Sequence, residues 1–168
     1  MNSVDRLLSK VNKDALLRSV ASVAGERRCQ LHSDKPLTGN GYMIFLIELP
    51  EQERIWAARF PLDQNFPFAP LIVEPLLYAA RNFPQIPIPK LHDYRDIGSE
   101  TDVRAGYLLL DYMNGTPLRP WTYEAPAFAV KQAIIDQLSN HMLAMISKPA
   151  GKDITHYGID PQIAVFRI

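Results

Sequence analysis

Apolar positions along this chain change their period several times, and each change marks an element. Val4, Leu7, Leu8, Val11, Ala15 and Leu16 recur at three- and four-residue steps, so the first 24 residues read as helical with one apolar face. Gly25 ends that pattern as a helix-terminating glycine would. The period then falls towards two. "CQLHSD" (29–34) alternates weakly, and "YMIFLIEL" (42–49) is an apolar run rich in strand formers and too short for an independent helix. "RIWAARF" (54–60) sets Ile55, Ala57 and Arg59 against Trp56, Ala58 and Phe60. The polar "PEQE" (50–53) joins the last two runs, which predicts an antiparallel hairpin.

Beyond it, the three prolines of "PLDQNFPFAP" forbid regular structure. Helical spacing returns over 71–83 at Ile72, Leu76, Leu77 and Ala80. Pro84, Pro87 and Pro89 then impose an extended path into a short strand near 90–96. The polar tract "DIGSETDVRA" is a loop tip before a strand at 106–111. In the last third, Phe128, Ile134, Ile135, Leu138, Met142 and Met145 form a stripe from about Pro126 to Ser147, with Pro126 initiating and Pro149 and Gly151 terminating. The expected fold class is α+β: a five-stranded antiparallel sheet, one inserted helix after the third strand, and helices at both ends. No repeat or low-complexity segment interrupts this order.

Composition narrows the function classes. A chain of 168 residues, with 47% hydrophobic and 21% charged residues, supports one globular core. Lys plus Arg and Asp plus Glu both number 18, so bulk charge points neither to nucleic acid nor to an anionic membrane. No apolar run has the length of a membrane span, and the amino terminus carries no apolar signal core. Cys29 stands alone, which excludes an intrachain disulfide and favours a reducing, cytoplasmic setting. Its burial on a strand is the expected use. His32, His92, His141 and His156 lack ligand spacing, so no metal site and no Ser-His-Asp arrangement is expected.

One stretch asks for more. In "GYLLLDYMNG" (106–115) a core strand runs directly into an acid, an aromatic, a thioether and a turn former. Alone, this is a strand ending at an Asn-Gly turn. Set beside "TGNGYMIFLIEL", "IWAARFP", Glu74 and "IPIPKLHDY", the ordered series resembles the amino-terminal lobe of the aminoglycoside phosphotransferase family, within the protein-kinase-like fold. The resemblance begins near residue 25. Beyond the helical segment that apolar spacing gives over 1–24, it implies a nucleotide-binding lobe (25–118) and the helical start of a second lobe (119–168).

The same resemblance implies roles. Gly39, Asn40 and Gly41 would form a glycine-containing turn near the phosphates, although Asn-Gly between strands is also an ordinary hairpin signal. Arg59 would set a cation against the phosphates, the alternative being a salt-bridged or solvent-facing strand residue. Glu74 would pair with Arg59; because Pro75 follows, it could equally cap the start of a helix. Leu110 would be the gatekeeper and Asp111, Tyr112 and Met113 the hinge that meets adenine. The cofactor implied is ATP with Mg, and the parent reaction is phosphoryl transfer to a small-molecule hydroxyl.

The family's His-Gly-Asp catalytic loop and its later metal-binding aspartate have no counterpart before Ile168. "ITHYGI" instead resembles a segment that precedes that loop. The expectation is therefore a lobe without catalytic residues of its own, inactive alone, with weak or absent nucleotide binding. The alternative is a non-catalytic interaction module or pseudokinase remnant. In that reading the 126–147 helix, with Phe128, Ile135, Leu138 and Met142, would be covered by a second copy or another partner.

Overall fold

A computed structural model describes residues 2–39, 41–65, 69–96, 101–115 and 128–147. The helices are α1 (Ser3–Lys10), α2 (Lys13–Ala24), α3 (Glu74–Asn82) and α4 (Phe128–Ser147). The strands are β1 (Gln30–Leu31), β2 (Leu37–Gly39), β3 (Tyr42–Leu49), β4 (Arg54–Pro61), β5 (Leu91–Arg95) and β6 (Tyr107–Asp111). The class is α+β, with all strand pairs antiparallel.

Several boundaries differ from the sequence expectation, among them the start of the helix expected over 71–83, which begins at Glu74. The amino-terminal helical stretch is two helices, because Val11 and Asn12 turn extended and Asn12 caps α2 through its side chain, which accepts the Ala15 N–H at 3.2 Å. Gly25 closes α2 with φ 71, as the sequence indicates. The first strand runs only over Gln30–Leu31, and a further strand, β2, was not foreseen. Both pair with β3, Gln30 opposite Glu48 and Leu37 opposite Ile44. The six-stranded sheet thus keeps five positions across, β1-β3-β4-β6-β5, with β2 beside β3.

The residues fall into two compact units, Met1–Ala80 with Pro87–Gly115, and Arg81–Ile86 with Thr116–Ile168. In the first, period-two alternation gives the sheet two faces. One carries Met43, Phe45, Ile47, Trp56, Ala58, Phe60, Tyr107 and Leu109, all buried with Leu7, Val11, Ala15, Leu16 and Val20 of α1 and α2. Burying large aliphatic and aromatic side chains of this kind stabilises by about 1.5–3 kcal/mol each. Val103 joins this core at 3% exposure, and its carbonyl accepts the Asn12 N–H at 3.1 Å. The tract expected to be a loop tip therefore returns to the helix break.

The opposite face carries two cross-strand rows. One is Leu37, Ile44, Arg59, Leu108 and Tyr94; the other is Leu46, Ala57, Leu110 and Leu91. Val73, Ile72 and Leu76 pack on Leu108 and Leu110, so α3 and the wide turn before it (Ala69–Val73) cover one end of this face. Glu74 begins α3 and Pro75 occupies its first turn, where a missing N–H breaks no helical bond.

In the second unit, α4 leaves Ile135, Met142 and Ile146 exposed, the last at 75%. Their spacing places them on one stripe. Pro126, Pro149 and Gly151, assigned to the ends of this helix, lie outside the described residues. No described helix is long and apolar enough to cross a membrane.

Candidate nucleotide-facing surface

The sheet face not covered by α1 and α2 gathers most of the residues singled out in the sequence. Alternation in β4 turns Trp56, Ala58 and Phe60 into the core, so Ala57 and Arg59 must face the other way. Leu37, Ile44 and Leu46 share this face by register. Beside them the chain bows out between β1 and β2. The result is a trough of about 410 Å³ lined by His32, Lys35, Pro36, Leu37, Ile44 and Leu46, among others. Its lining combines apolar side chains with a cationic and an imidazole side chain.

Gly39 pairs with Tyr42, which makes 40–41 a two-residue hairpin connection, and Gly41 has φ 82. That backbone region is easily reached only by glycine. Asn40 lies outside the described residues. A methyl group built at Gly39 or Gly41 would meet no atom within 4 Å beyond the chain neighbours.

Arg59 is half-buried. Its guanidinium carbon lies 4.3 Å from the centroid of the Tyr42 ring. Its Nε is buried without a hydrogen-bond partner among the described residues. The ion pairs among those residues are His32–Glu48, His92–Asp111 and Arg95–Asp93, so none joins Arg59 to Glu74. Glu74 is exposed at the first position of α3. The structure brings Arg59 together with Ala57, Ile44 and Leu37, and leaves Glu74 apart from it.

At the end of β6, Leu110 is buried opposite Ala57, on the same face as Arg59. Asp111 donates its N–H to the Lys90 carbonyl at 2.9 Å, and Tyr112 donates its N–H to the Ile55 carbonyl at 3.2 Å. Met113 is 54% exposed, and its backbone amide has no partner among the described residues. Strand pairing thus stops after Tyr112.

The Asp111 side chain is occupied elsewhere. Its Oδ1 lies 2.7 Å from His92 Nε2, and its Oδ2 accepts the Lys90 N–H at 3.3 Å. The His92 ring stacks on Trp56, centroids 3.7 Å apart and planes 17° apart. Sequence reasoning set His92 aside because it has no ligand spacing. The only signal that could have drawn attention to it is the His-Asp succession in "KLHDY", which gives no hint of a partner nineteen residues on.

At the edge of this face, in line with Ile44 and Leu46, Glu48 is held below the usual carboxylate range by hydrogen bonds from Gln30 and then from the trough-lining His32. Burial pushes the Cys29 thiol up to about 11, with the Glu26 and Glu51 charges adding to it. Among the described residues no group of His, Cys, Asp and Glu side chains is placed to hold a metal ion. No family model, curated protein or solved structure matches this chain.

Proposed function

We propose that this chain is an adenine-nucleotide-binding lobe of the small-molecule phosphotransferase type, and that the part of this sheet face left free by α3 receives ATP. The observation that carries the reading is the cross-strand row Leu37, Ile44 and Arg59 beside Leu46 and Ala57. It places a cation among small and branched apolar side chains on one surface, and the unpaired Met113 amide follows at the end of β6. In this reading the apolar residues and the trough accept the base and ribose. The backbone at Gly39 and Gly41 and the Arg59 side chain accept phosphate oxygens, which a guanidinium binds through two parallel N–H donors. Mg would travel with the nucleotide. Phosphoryl transfer would also require an aspartate to orient the acceptor hydroxyl; the described residues offer none in a matching motif. The lobe is therefore assigned binding, with catalysis needing residues supplied from elsewhere.

The test is titration of MgATP by calorimetry into the full chain and into Arg59→Ala. Binding that weakens about tenfold or more in the variant supports the assignment, since a charge-assisted phosphate contact is worth about 1.5–3 kcal/mol. Equal binding by both proteins would remove Arg59 from the site.

A second reading rests on α4, where Ile135, Leu138, Met142, Leu143 and Ile146 are 44–75% exposed. A contiguous apolar stripe of this kind on a helix favours an interaction module. Sedimentation of the full chain across concentration separates the two readings. Self-association abolished by Ile135→Asp and Met142→Asp would support the second.

A further inference from the structure

We infer that His92 is a positioning residue that locks the exit of β6, holding the backbone of Asp111, Tyr112 and Met113 in place from the core side of the sheet. The inference begins with a register irregularity. Leu91 pairs with Leu110, but Asp93 pairs with Leu109, so one extra residue, His92, is inserted opposite a single step of β6. Alternation from Leu91, which lies opposite Leu110, already turns His92 to the side carrying Trp56 and Asp111, themselves cross-strand partners. The bulge lets Asp93, opposite Leu109, share that side, so His92 is left without a residue of β6 directly opposite it and instead stacks on Trp56 and meets Asp111.

Three contacts then converge on one residue of the strand exit. An ionised carboxylate only accepts, so His92 Nε2 must carry the proton in its 2.7 Å bond to Asp111 Oδ1. The second carboxylate oxygen takes the Lys90 N–H, and the Asp111 N–H is given to the Lys90 carbonyl. The His92 side chain is only 9% exposed and is clamped against Trp56, so its ring cannot swing without losing the stack. A charge-assisted bond to a ring fixed by packing orients its acceptor more strictly than one to a mobile surface side chain. Asp111 is thereby held from three directions, and Tyr112 follows with its own bond to Ile55.

One consequence concerns recognition. The Asp111 carboxylate is directed to His92 and Lys90 and is not offered to a ligand on the opposite face. With the Asp111 and Tyr112 N–H groups also bonded, a ligand at Asp111–Met113 would meet the Met113 amide and the exposed Tyr112 and Met113 side chains. This consequence rests on the nucleotide reading given above, whereas the lock itself does not.

The experiment therefore has two readouts. The first is the backbone amide order parameter in the full chain, for His92→Phe, His92→Gln and Asp111→Ala. Phenylalanine keeps the stack and loses the donor, while glutamine keeps a donor. In His92→Phe and Asp111→Ala we expect Tyr112 and Met113 to fall from about 0.85 towards 0.6 or below, with Phe45 and Ala58 unmoved. His92→Gln should retain part of the order, and combining His92→Phe with Asp111→Ala should go no further than Asp111→Ala alone, which also removes the Lys90 contact. A general loss of stability would not produce that local pattern. Unchanged order at both positions would overturn the lock. Should His92→Phe not fold, Asp111→Ala carries the same expectation, since it leaves the stack in place.

The second readout is MgATP affinity. A fall of about tenfold in His92→Phe, alongside the loss of order, supports positioning of the ligand-facing backbone. Lost order with unchanged affinity would overturn that role. Absence of binding by the unmodified chain would instead sink the nucleotide reading, and the order parameters would decide the lock by themselves.

Discussion

The Arg59 guanidinium lies over the ring of Tyr42, 4.3 Å from its centroid, and makes no ion pair with Glu74. The arrangement follows from register. Arg59 sits opposite Ile44, and Tyr42 lies two residues along β3 on the same face, within diagonal reach of a long side chain. An aromatic face holds the cation without neutralising it. The charge stays available to an anion in a way that a carboxylate partner would oppose.

Removing the ring should therefore loosen the cation at modest cost. Tyr42→Leu is expected to lower stability by roughly 0.5–2 kcal/mol, the range for a cation–π contact that is partly desolvated. Urea unfolding of Tyr42→Leu, Arg59→Leu and the double variant gives the check. Effects that simply add would mean the contact contributes nothing.

Tyr107 makes the polar tie between α2 and the sheet. Its hydroxyl is 2.9 Å from Ser19 Oγ and donates to Asp93 at 3.4 Å, and the ring is fully buried. Tyr107→Phe should cost about 1 kcal/mol at neutral pH, as expected for one net hydrogen bond. Burial raises this phenol above its usual value of 10.0, against the opposing bond from Ser19. A group whose folded pKa is raised contributes stability that is complete below the unfolded value and lost as pH climbs past it. In a Cys29→Ala background, the urea midpoint should fall above pH 10, and Tyr107→Phe should flatten that fall. An equally steep decline in both proteins would contradict this assignment.

The Cys29 thiol gives a separate alkaline signature. Burial, then the charges of Glu26 and Glu51, raise it from 9.0 to about 11. At pH 8 the thiolate fraction, and with it the rate of alkylation, should be about a hundredfold below that of an unperturbed thiol. Iodoacetamide labelling followed by mass spectrometry measures it. Glu26→Gln should recover part of the rate and urea should recover all of it. Rapid native labelling would show that the thiol is not held up.

Much of this architecture is legible in the residues. Strict alternation made β4 readable, with Trp56, Ala58 and Phe60 inward and Ala57 and Arg59 outward. The polar four-residue connection between Leu49 and Arg54 made the β3–β4 hairpin readable as well. Pro75 marked the start of α3 because its missing N–H is tolerated only in a first turn. What escaped is whatever depends on a single residue out of period. The three residues of β2 are too short to show alternation, and Asn12 breaks a helical pattern that continues across it in Ala15 and Leu16. The bulge at His92 leaves no mark on hydrophobic spacing, so its stack on Trp56 and its bond to Asp111 exist only once β5 has paired with β6. On the candidate site, the strand exit could be picked out by its composition, but the contacts that hold it could not.

Val103 offers the sharpest contrast between pattern and packing. It lies in a polar tract with no apolar periodicity, yet it is 3% exposed and its carbonyl accepts the N–H of Asn12 at the α1–α2 break. Ile146, by contrast, belongs to a regular helical stripe and is 75% exposed. If burial and not pattern sets the energetics, Val103→Ala should destabilise the first unit by roughly 1–3 kcal/mol through lost transfer energy and a residual cavity. Ile146→Ala should stay within about 0.5 kcal/mol. Asn12→Ala, which removes the α2 cap but keeps the N–H to Val103, should cost about 1 kcal/mol. Denaturant midpoints for the three variants decide the matter. A neutral Val103→Ala would detach that tract from the core, and with it the link between the helix break and the loop before β6.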